Sequence, residues 1–371
     1  MENAAVSEPS LIPVTLLTGF LGSGKTTILN HLLRVPAAET IAVVINEFGE
    51  IGLDHLLVER SSEDFVLLNS GCLCCTVRGD LITTLRDLFL RRVRGEISEF
   101  TRVIIETTGL ADPAPILHTL ITDPLIFARY RLDGVVTAVD AVNGATTLDR
   151  HHEAVKQAAV ADRLLLTKGD LAAAGIVHGL RRRLASLNPG AIILEATGGR
   201  VDAAALFDLG FYNPATKTPD VQGWLRTEMY EAAEHDHAHH HGDHEHNDVP
   251  AGGDAVVDVN RHDDRIWAYC VTRDRPVQRG AFSVWLALLA AMRGDDLLRV
   301  KGIINVTDSP ERPVVVHGVQ HLLHPPVTLA AWPSNDRRTR IVFVTRDMPK
   351  EMIEGTLQVL AGGDAPSREL Q

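Results

Sequence analysis

The chain has 371 residues, is 45% hydrophobic and 23% charged, and carries a formal net charge of −12, which leaves room for two domains and a large core and argues against broad attraction to nucleic acid or anionic lipid. Its four cysteines, three of them within four positions, cannot build a disulfide framework, and no apolar run reaches membrane-spanning length. Because Met1-Glu2-Asn3-Ala4-Ala5 lacks the basic stretch of a secretory signal, a reduced cytoplasmic setting is expected, with no nucleic-acid or membrane partner.

From about residue 11 to 210, short β-rich runs alternate with helical patterns. Strands are expected at 14–18, 41–45, 65–68, 102–106, 134–139, 163–167 and 191–194. Helices are expected near 25–34, 78–93, 113–121, 151–160, 175–187 and 201–208. Such alternation predicts an α/β fold with a doubly wound, mostly parallel sheet.

The first strand runs into Gly19-Phe20-Leu21-Gly22-Ser23-Gly24-Lys25-Thr26-Thr27, the phosphate-loop pattern G-x-x-x-x-G-K-[ST] in strand–loop–helix surroundings. Glycine-rich backbone there frees N–H groups to converge on phosphate oxygens at a helix N-terminus. Lys25 then reaches the β/γ-phosphates and the Thr26 hydroxyl ligates Mg²⁺. The second strand leads into Asn46-Glu47-Phe48-Gly49-Glu50.

The third strand is followed by Asn69-Ser70-Gly71-Cys72-Leu73-Cys74-Cys75-Thr76. Three thiols at i, i+2 and i+3 after a turn can converge on one soft cation such as Zn²⁺, Co²⁺ or Cu⁺; disulfide-type redox chemistry is the competing use. After the fourth strand comes Glu106-Thr107-Thr108-Gly109-Leu110-Ala111-Asp112-Pro113. A strand-end acid with a Gly three residues on is where phosphate-loop proteins hold Mg²⁺ (Glu106) and sense the γ-phosphate (the Gly109 N–H). Leu110 stands where many signalling GTPases place a water-orienting Gln, so slow intrinsic hydrolysis is expected.

Leu165-Leu166-Thr167-Lys168-Gly169-Asp170 lies where guanine-specific proteins carry N-K-x-D. The Asp170 carboxylate can accept from both guanine N1–H and the 2-amino group, the Lys168 stem covers the base, and Thr167 replaces the Asn. GTP and GDP are therefore expected over adenine nucleotides. Glu195-Ala196-Thr197, at the next strand end, is a candidate to close over the base.

Residues 213–260 lose apolar periodicity. Eight acids and no Lys or Arg fall in 228–254. Seven imidazoles, His235, His237, His239, His240, His241, His244 and His246, lie among them, and they read as a mobile arm that collects metal for Cys72, Cys74 and Cys75. From 262 onward, strands at 265–272, 297–306, 312–319 and 339–345 and helices at 280–292 and 350–360 predict a smaller antiparallel α+β domain. Its first helix is expected to pack on the sheet through Trp285, Leu286, Leu288 and Leu289, with Cys270 a core thiol. The expected domains are 1–212, a linker at 213–261, and 262–365.

Together, Gly19 to Thr27, Asn46 to Glu50, Cys72-Leu73-Cys74-Cys75, Glu106 to Pro113 and Thr167 to Asp170 make the chain resemble the CobW-type GTPases. Lys301-Gly302 and Val316-His317-Gly318-Val319-Gln320 resemble that family's second domain. The resemblance implies a GTPase metallochaperone with GTP/GDP, Mg²⁺ and a transition metal, zinc first, with Co²⁺ or Fe²⁺ as alternatives. It implies a client metalloprotein as partner and allows a nucleotide- or metal-dependent homodimer. A zinc-buffering protein with regulatory nucleotide is the second reading; a small-molecule kinase is a third, for which no acceptor-site signature stands out. Glu47, Glu50 and the three cysteines lie between Thr26 and Glu106, so bound GTP is expected to draw the thiolates together and hydrolysis to loosen them. Glu50 counts with Glu47 among the candidate metal ligands, and Glu47 alternatively binds Mg²⁺ or orients water.

Overall fold

The computed structural model describes residues 11–34, 40–46, 66–69, 77–207 and 266–361. Its first part runs β1 (Ile12–Gly19), α1 (Lys25–Arg34), β2 (Ile41–Asn46), β3 (Val66–Asn69), α2 (Val77–Val93), β4 (Arg102–Thr107), α3 (Ala114–Thr122), α4 (Pro124–Phe127), β5 (Tyr130–Asp140), α5 (Gly144–Arg150), α6 (His152–Val160), β6 (Arg163–Thr167), α7 (Ala174–Leu187) and β7 (Ile192–Ala196). The strands form one sheet in the order β3-β2-β4-β1-β5-β6-β7. The pairs β2–β3, β2–β4, β1–β4, β1–β5 and β5–β6 are parallel. The chain builds one side of β1 first and then crosses to the other, so the end of β1 is the sheet's topological switch point, where open α/β sheets place their ligands.

Contacts divide the described residues into two units. One draws on the described residues within 1–141, 161–172 and 193–219; the other on those within 142–160, 173–192 and 220–371. In the first, β1 and β4 are buried almost throughout, as strands covered on both faces must be. Register sorts their side chains. The row Ile45–Glu106–Leu17–Val136 runs across β2, β4, β1 and β5, and its apolar members share a core with Ile28, Leu29, Leu32 and Leu33 of α1. Each such aliphatic side chain contributes about 1.5–3 kcal/mol by leaving water. The one polar member of that row is Glu106, so the register alone aims its carboxylate toward α1.

The helix expected at 201–208 is a single 3-10 turn, Ala203–Ala205. Asp202 caps the start of this turn by accepting from the Ala204 N–H. Leu206 then drops into the α1 core, and the Arg102 guanidinium sits 4.3 Å from the Phe207 ring centroid. Two consecutive side chains are thus claimed by different partners. The short α4 and α5 are additions to the expected elements.

The second unit contains β8 (Ile266–Arg273), α8 (Arg279–Arg293), β9 (Leu297–Ile304), β10 (Val314–Val319), β11 (Leu322–Leu323), β12 (Val327–Thr328), β13 (Thr339–Arg346) and α9 (Lys350–Ala361). Its sheet runs β11-β10-β9-β13-β8, with β12 also on β10, and the pairings are antiparallel. Trp285, Leu286 and Leu289 of α8 enter its core with Phe282, Phe343 and Leu357, whereas Leu288 is 45% exposed. That corrects the expectation for Leu288: on α8 the buried stripe is 282, 285, 286, 289 and 290, and 288 lies outside it. Cys270 is buried in β8.

The other parity of β9 carries Arg299 and Lys301, both buried, and the Arg299 guanidinium donates to the Val160 carbonyl ending α6. His317, paired with Lys301 in register, stacks on His324 with ring centroids 4.6 Å apart. Burial first, and then the neighbouring His324, Arg299 and Lys301, hold the His317 imidazole well below its ordinary value of 6.5. It is neutral in the fold but takes up a proton in the unfolded chain below about pH 6.5. Its contribution to stability is therefore present above that value and lost as pH falls through it. The urea midpoint of the wild type is expected to drop more steeply between pH 7.5 and 5 than that of His317→Leu; parallel slopes would refute the assignment.

Candidate functional site

The site is built where β1 ends. The loop from Gly19 to Gly24 uses φ of +141° at Gly19, +70° at Gly22 and +90° at Gly24, conformations that side chains resist. At Gly19 the need is also steric, because a Cβ there would lie 2.4 Å from the Ala138 carbonyl oxygen. Lys25, buried at the first turn of α1, donates through Nζ to the carbonyls of Gly19 (2.9 Å) and Phe20 (3.3 Å). An ammonium folded over a glycine loop at a helix N-terminus concentrates positive potential there.

Two neighbouring strand ends complete this side. The Thr26 hydroxyl donates to Glu106 Oε1 at 3.0 Å, and Glu106 is 4% exposed. A hydroxyl and a carboxylate converging in this way form an all-oxygen pair, the donor chemistry that suits a hard divalent cation. The Thr107 hydroxyl hydrogen-bonds the Thr18 hydroxyl at 2.8 Å, with the Thr108 carbonyl 3.2 Å away. A Cβ on Gly109 would stand 2.5 Å from the Leu21 nitrogen, so the turn after β4 lies directly against the glycine loop.

On the other side, the segment after β6 braces the same loop. The Thr167 hydroxyl donates to the Ser23 carbonyl at 2.7 Å, with the Val139 carbonyl 3.3 Å away. Lys168 adopts φ +57°, and its Nζ donates to the Gly22 carbonyl at 2.8 Å and to Asp140 Oδ2 at 2.9 Å. Asp170, in the 3-10 turn Gly169–Leu171, is exposed. Past β7, a Cβ on Gly199 would meet the Thr27 carbonyl oxygen at 2.8 Å.

The structure thus gathers Gly19, Gly22, Ser23, Gly24, Lys25, Thr26, Thr27, Glu106, Gly109, Thr167 and Lys168 at one end of one sheet, with Asp170 two residues beyond Lys168. Glu47, Glu50, Cys72, Cys74, Cys75 and the histidines 235, 237, 239, 240, 241, 244 and 246 lie outside the described residues, as does the expected linker at 213–261. Two contributors were not singled out from sequence. Asp140 ends β5, and a strand-end acid was its available signal; Gly199 shows none beyond a Gly-Gly pair.

Residues 13–195 match the CobW/HypB/UreG nucleotide-binding domain, and residues 266–361 match the cobalamin synthesis protein cobW C-terminal domain. The chain is 33% identical over 342 residues to the zinc chaperone YjiA of Escherichia coli (strain K12), covering 92% of this chain and 96% of that one. The chain belongs to the CobW/HypB/UreG family of P-loop GTPases. Within this family it is also 36% identical over 209 residues to zinc-regulated GTPase metalloprotein activator 1 of Schizosaccharomyces pombe, spanning 54% of this chain and half of that one. The crystal structure of Zn(II)-bound YjiA GTPase from E. coli superposes with a TM-score of 0.66 at 29% identity, covering 95% of this chain and 99% of that one.

The Thr167 brace yields a direct test. Thr167→Val keeps the volume but strands the buried Ser23 carbonyl without its donor, so a loss of about 1–2 kcal/mol in unfolding free energy is expected. Unchanged chemical denaturation would show that the glycine loop stands without it.

Proposed function

We propose that this chain is a GTP-hydrolysing metallochaperone that holds zinc on Cys72, Cys74 and Cys75 and delivers it to a client metalloprotein under nucleotide control. The Thr26–Glu106 hydrogen bond carries the reading. It joins the phosphate loop to the end of β4, and Asn46, the last residue before Glu47, pairs with Thr107 one position away. A change at the γ-phosphate end of the loop thus has a short route to the segment bearing the acids and thiols.

In this reading the backbone of Gly19, Gly22, Ser23, Gly24 and Thr27 cradles the phosphates and Lys25 supplies their counter-charge. Thr26 and Glu106 hold Mg²⁺, which when bound neutralises charge developing between the β- and γ-phosphates. The Gly109 N–H faces the γ-phosphate. The Lys168 stem covers the base while Asp170 accepts from guanine N1–H and its 2-amino group. Leu110, 55% exposed, offers no polar atom toward an attacking water, which supports slow intrinsic turnover.

With GTP in place, Glu106 and Gly109 are both engaged and the neighbouring end of β2 is drawn with them, bringing the thiolates together. Hydrolysis to GDP removes the Gly109 contact, the ligands separate, and zinc passes to the client. The histidines from His235 to His246 collect zinc and raise its local concentration for the cysteines. The names of the two relatives, a zinc chaperone and a zinc-regulated GTPase metalloprotein activator, support zinc as cargo and a protein as recipient. Residues 1–212 form the GTPase part in this proposal, 213–261 the His-rich connection and 262–365 the second domain.

Cobalt substitution tests the thiolate assignment. With Mg·GTP present, the wild type is expected to show thiolate-to-cobalt charge-transfer absorption, and the triple Cys72→Ser, Cys74→Ser, Cys75→Ser variant to lose it while still binding GTP. Persistence of the band in the variant would move the metal elsewhere. A wild type that holds cobalt identically with GTP, GDP and no nucleotide would favour a buffering role instead.

A further inference from the structure

The turn that follows β4 meets the phosphate loop, and most of its side chains are accounted for. Glu106 accepts from the Thr26 hydroxyl. The Thr107 hydroxyl is engaged by Thr18 and by the Thr108 carbonyl. Gly109 has no side chain and is pressed against Leu21. Leu110 is apolar and turned to solvent. Of the two threonine hydroxyls in this turn, that of Thr108 stands apart: its Oγ1 is buried and makes no hydrogen bond. Leaving a buried hydroxyl unpaired is costly, and such a group at a ligand site is commonly satisfied by the ligand or its ordered water.

We propose that Thr108 is the residue that positions the attacking water, the task for which Leu110 has no polar atom. This rests on the phosphate-loop reading above. Thr108 lies two residues past Glu106 and immediately before Gly109, between the groups assigned to the metal and to the γ-phosphate. Its hydroxyl accepts one hydrogen bond from the water and donates one to a phosphate oxygen, so the water's lone pair is turned toward phosphorus. Attack forms the water-oxygen-to-phosphorus bond and breaks the bond to the β–γ bridging oxygen, which leaves on GDP with the electron pair. The water's protons remain with the inorganic phosphate and solvent; Thr108 keeps its own. Holding a nucleophile in line without taking its proton gives a modest acceleration, in keeping with slow turnover.

The test compares full-length wild type, Thr108→Val, Thr108→Ser and, as a control on the site itself, Lys25→Ala. Thr108→Val removes only the hydroxyl at nearly constant volume, and Thr108→Ser restores it. For Thr108→Val, kcat is expected to fall about tenfold or more, with KM and affinity for a non-hydrolysable GTP analogue within about twofold of wild type. Affinity for GDP with aluminium fluoride, which holds a water in line, is expected to fall in parallel with kcat. Thr108→Ser recovers both to within about threefold. Thr108→Ala gives the same loss and serves if the valine disturbs folding.

Unchanged kcat in both hydroxyl deletions, with Lys25→Ala defective in GTP binding, overturns the role of Thr108 and leaves the phosphate-loop reading standing. Loss of analogue affinity equal to the loss of kcat also overturns it, since the hydroxyl then supports the bound state generally. If Lys25→Ala binds GTP as wild type does, the underlying reading and this inference fall together.

Discussion

One hydrogen bond organises the nucleotide end of this molecule, that from the Thr26 hydroxyl to the Glu106 carboxylate. Glu106 would be a costly residue to bury alone. It occupies a row of the sheet whose other members, Ile45, Leu17 and Val136, pack beneath α1, and the first turn of α1 delivers the hydroxyl that meets it. The position of α1 depends in turn on the glycine loop, since only the positive φ values at Gly19, Gly22 and Gly24 let the chain leave β1 and reverse into the helix. Loop, helix and strand end are thus mutually dependent, and a perturbation at one reaches the others over a few bonds.

The glycine loop is also held from its far side. Thr167 and Lys168 bind the carbonyls of Ser23 and Gly22, and Asp140 fixes the Lys168 ammonium. The carbonyls of Ser23 and Gly22 are thus committed to side-chain donors on the far side of the loop. The segment after β6 and the glycine loop are therefore one braced body. Thr167 makes its brace from beside Gly24, where a Cβ would stand at ordinary contact distance, 3.6 Å from the Thr167 side chain.

Much of this was legible in the chain. Strands such as 163–167 and 102–106 announced themselves because strands buried on both faces need uninterrupted apolar runs, and α1 because its apolar stripe follows a phosphate-loop signature. What was illegible depended on distance in sequence. The Lys168–Asp140 ion pair spans 28 residues, and no local pattern marks it. The burial stripe of α8 excludes Leu288 by one position, a choice made by where the sheet lies. The segment at 201–208 carries helix-forming alanines, yet Leu206 and Phe207 are claimed by separate partners, and tertiary contacts override propensity. The two-residue strands β11 and β12 are too short for periodicity to register.

In the proposed mechanism the nucleotide state is felt at the thiolate site through Glu106. Its most direct test is zinc affinity measured by competition with a chromophoric chelator, in Mg with a non-hydrolysable GTP analogue and in Mg·GDP, for wild type and Glu106→Gln. The account predicts at least about a tenfold tighter zinc site in the GTP-analogue state of the wild type, a coupling within the usual range for linked sites. It predicts that the difference collapses in Glu106→Gln at nucleotide concentrations that saturate both proteins. Equal zinc affinity in the two nucleotide states of the wild type, or an undiminished difference in the variant, would contradict it.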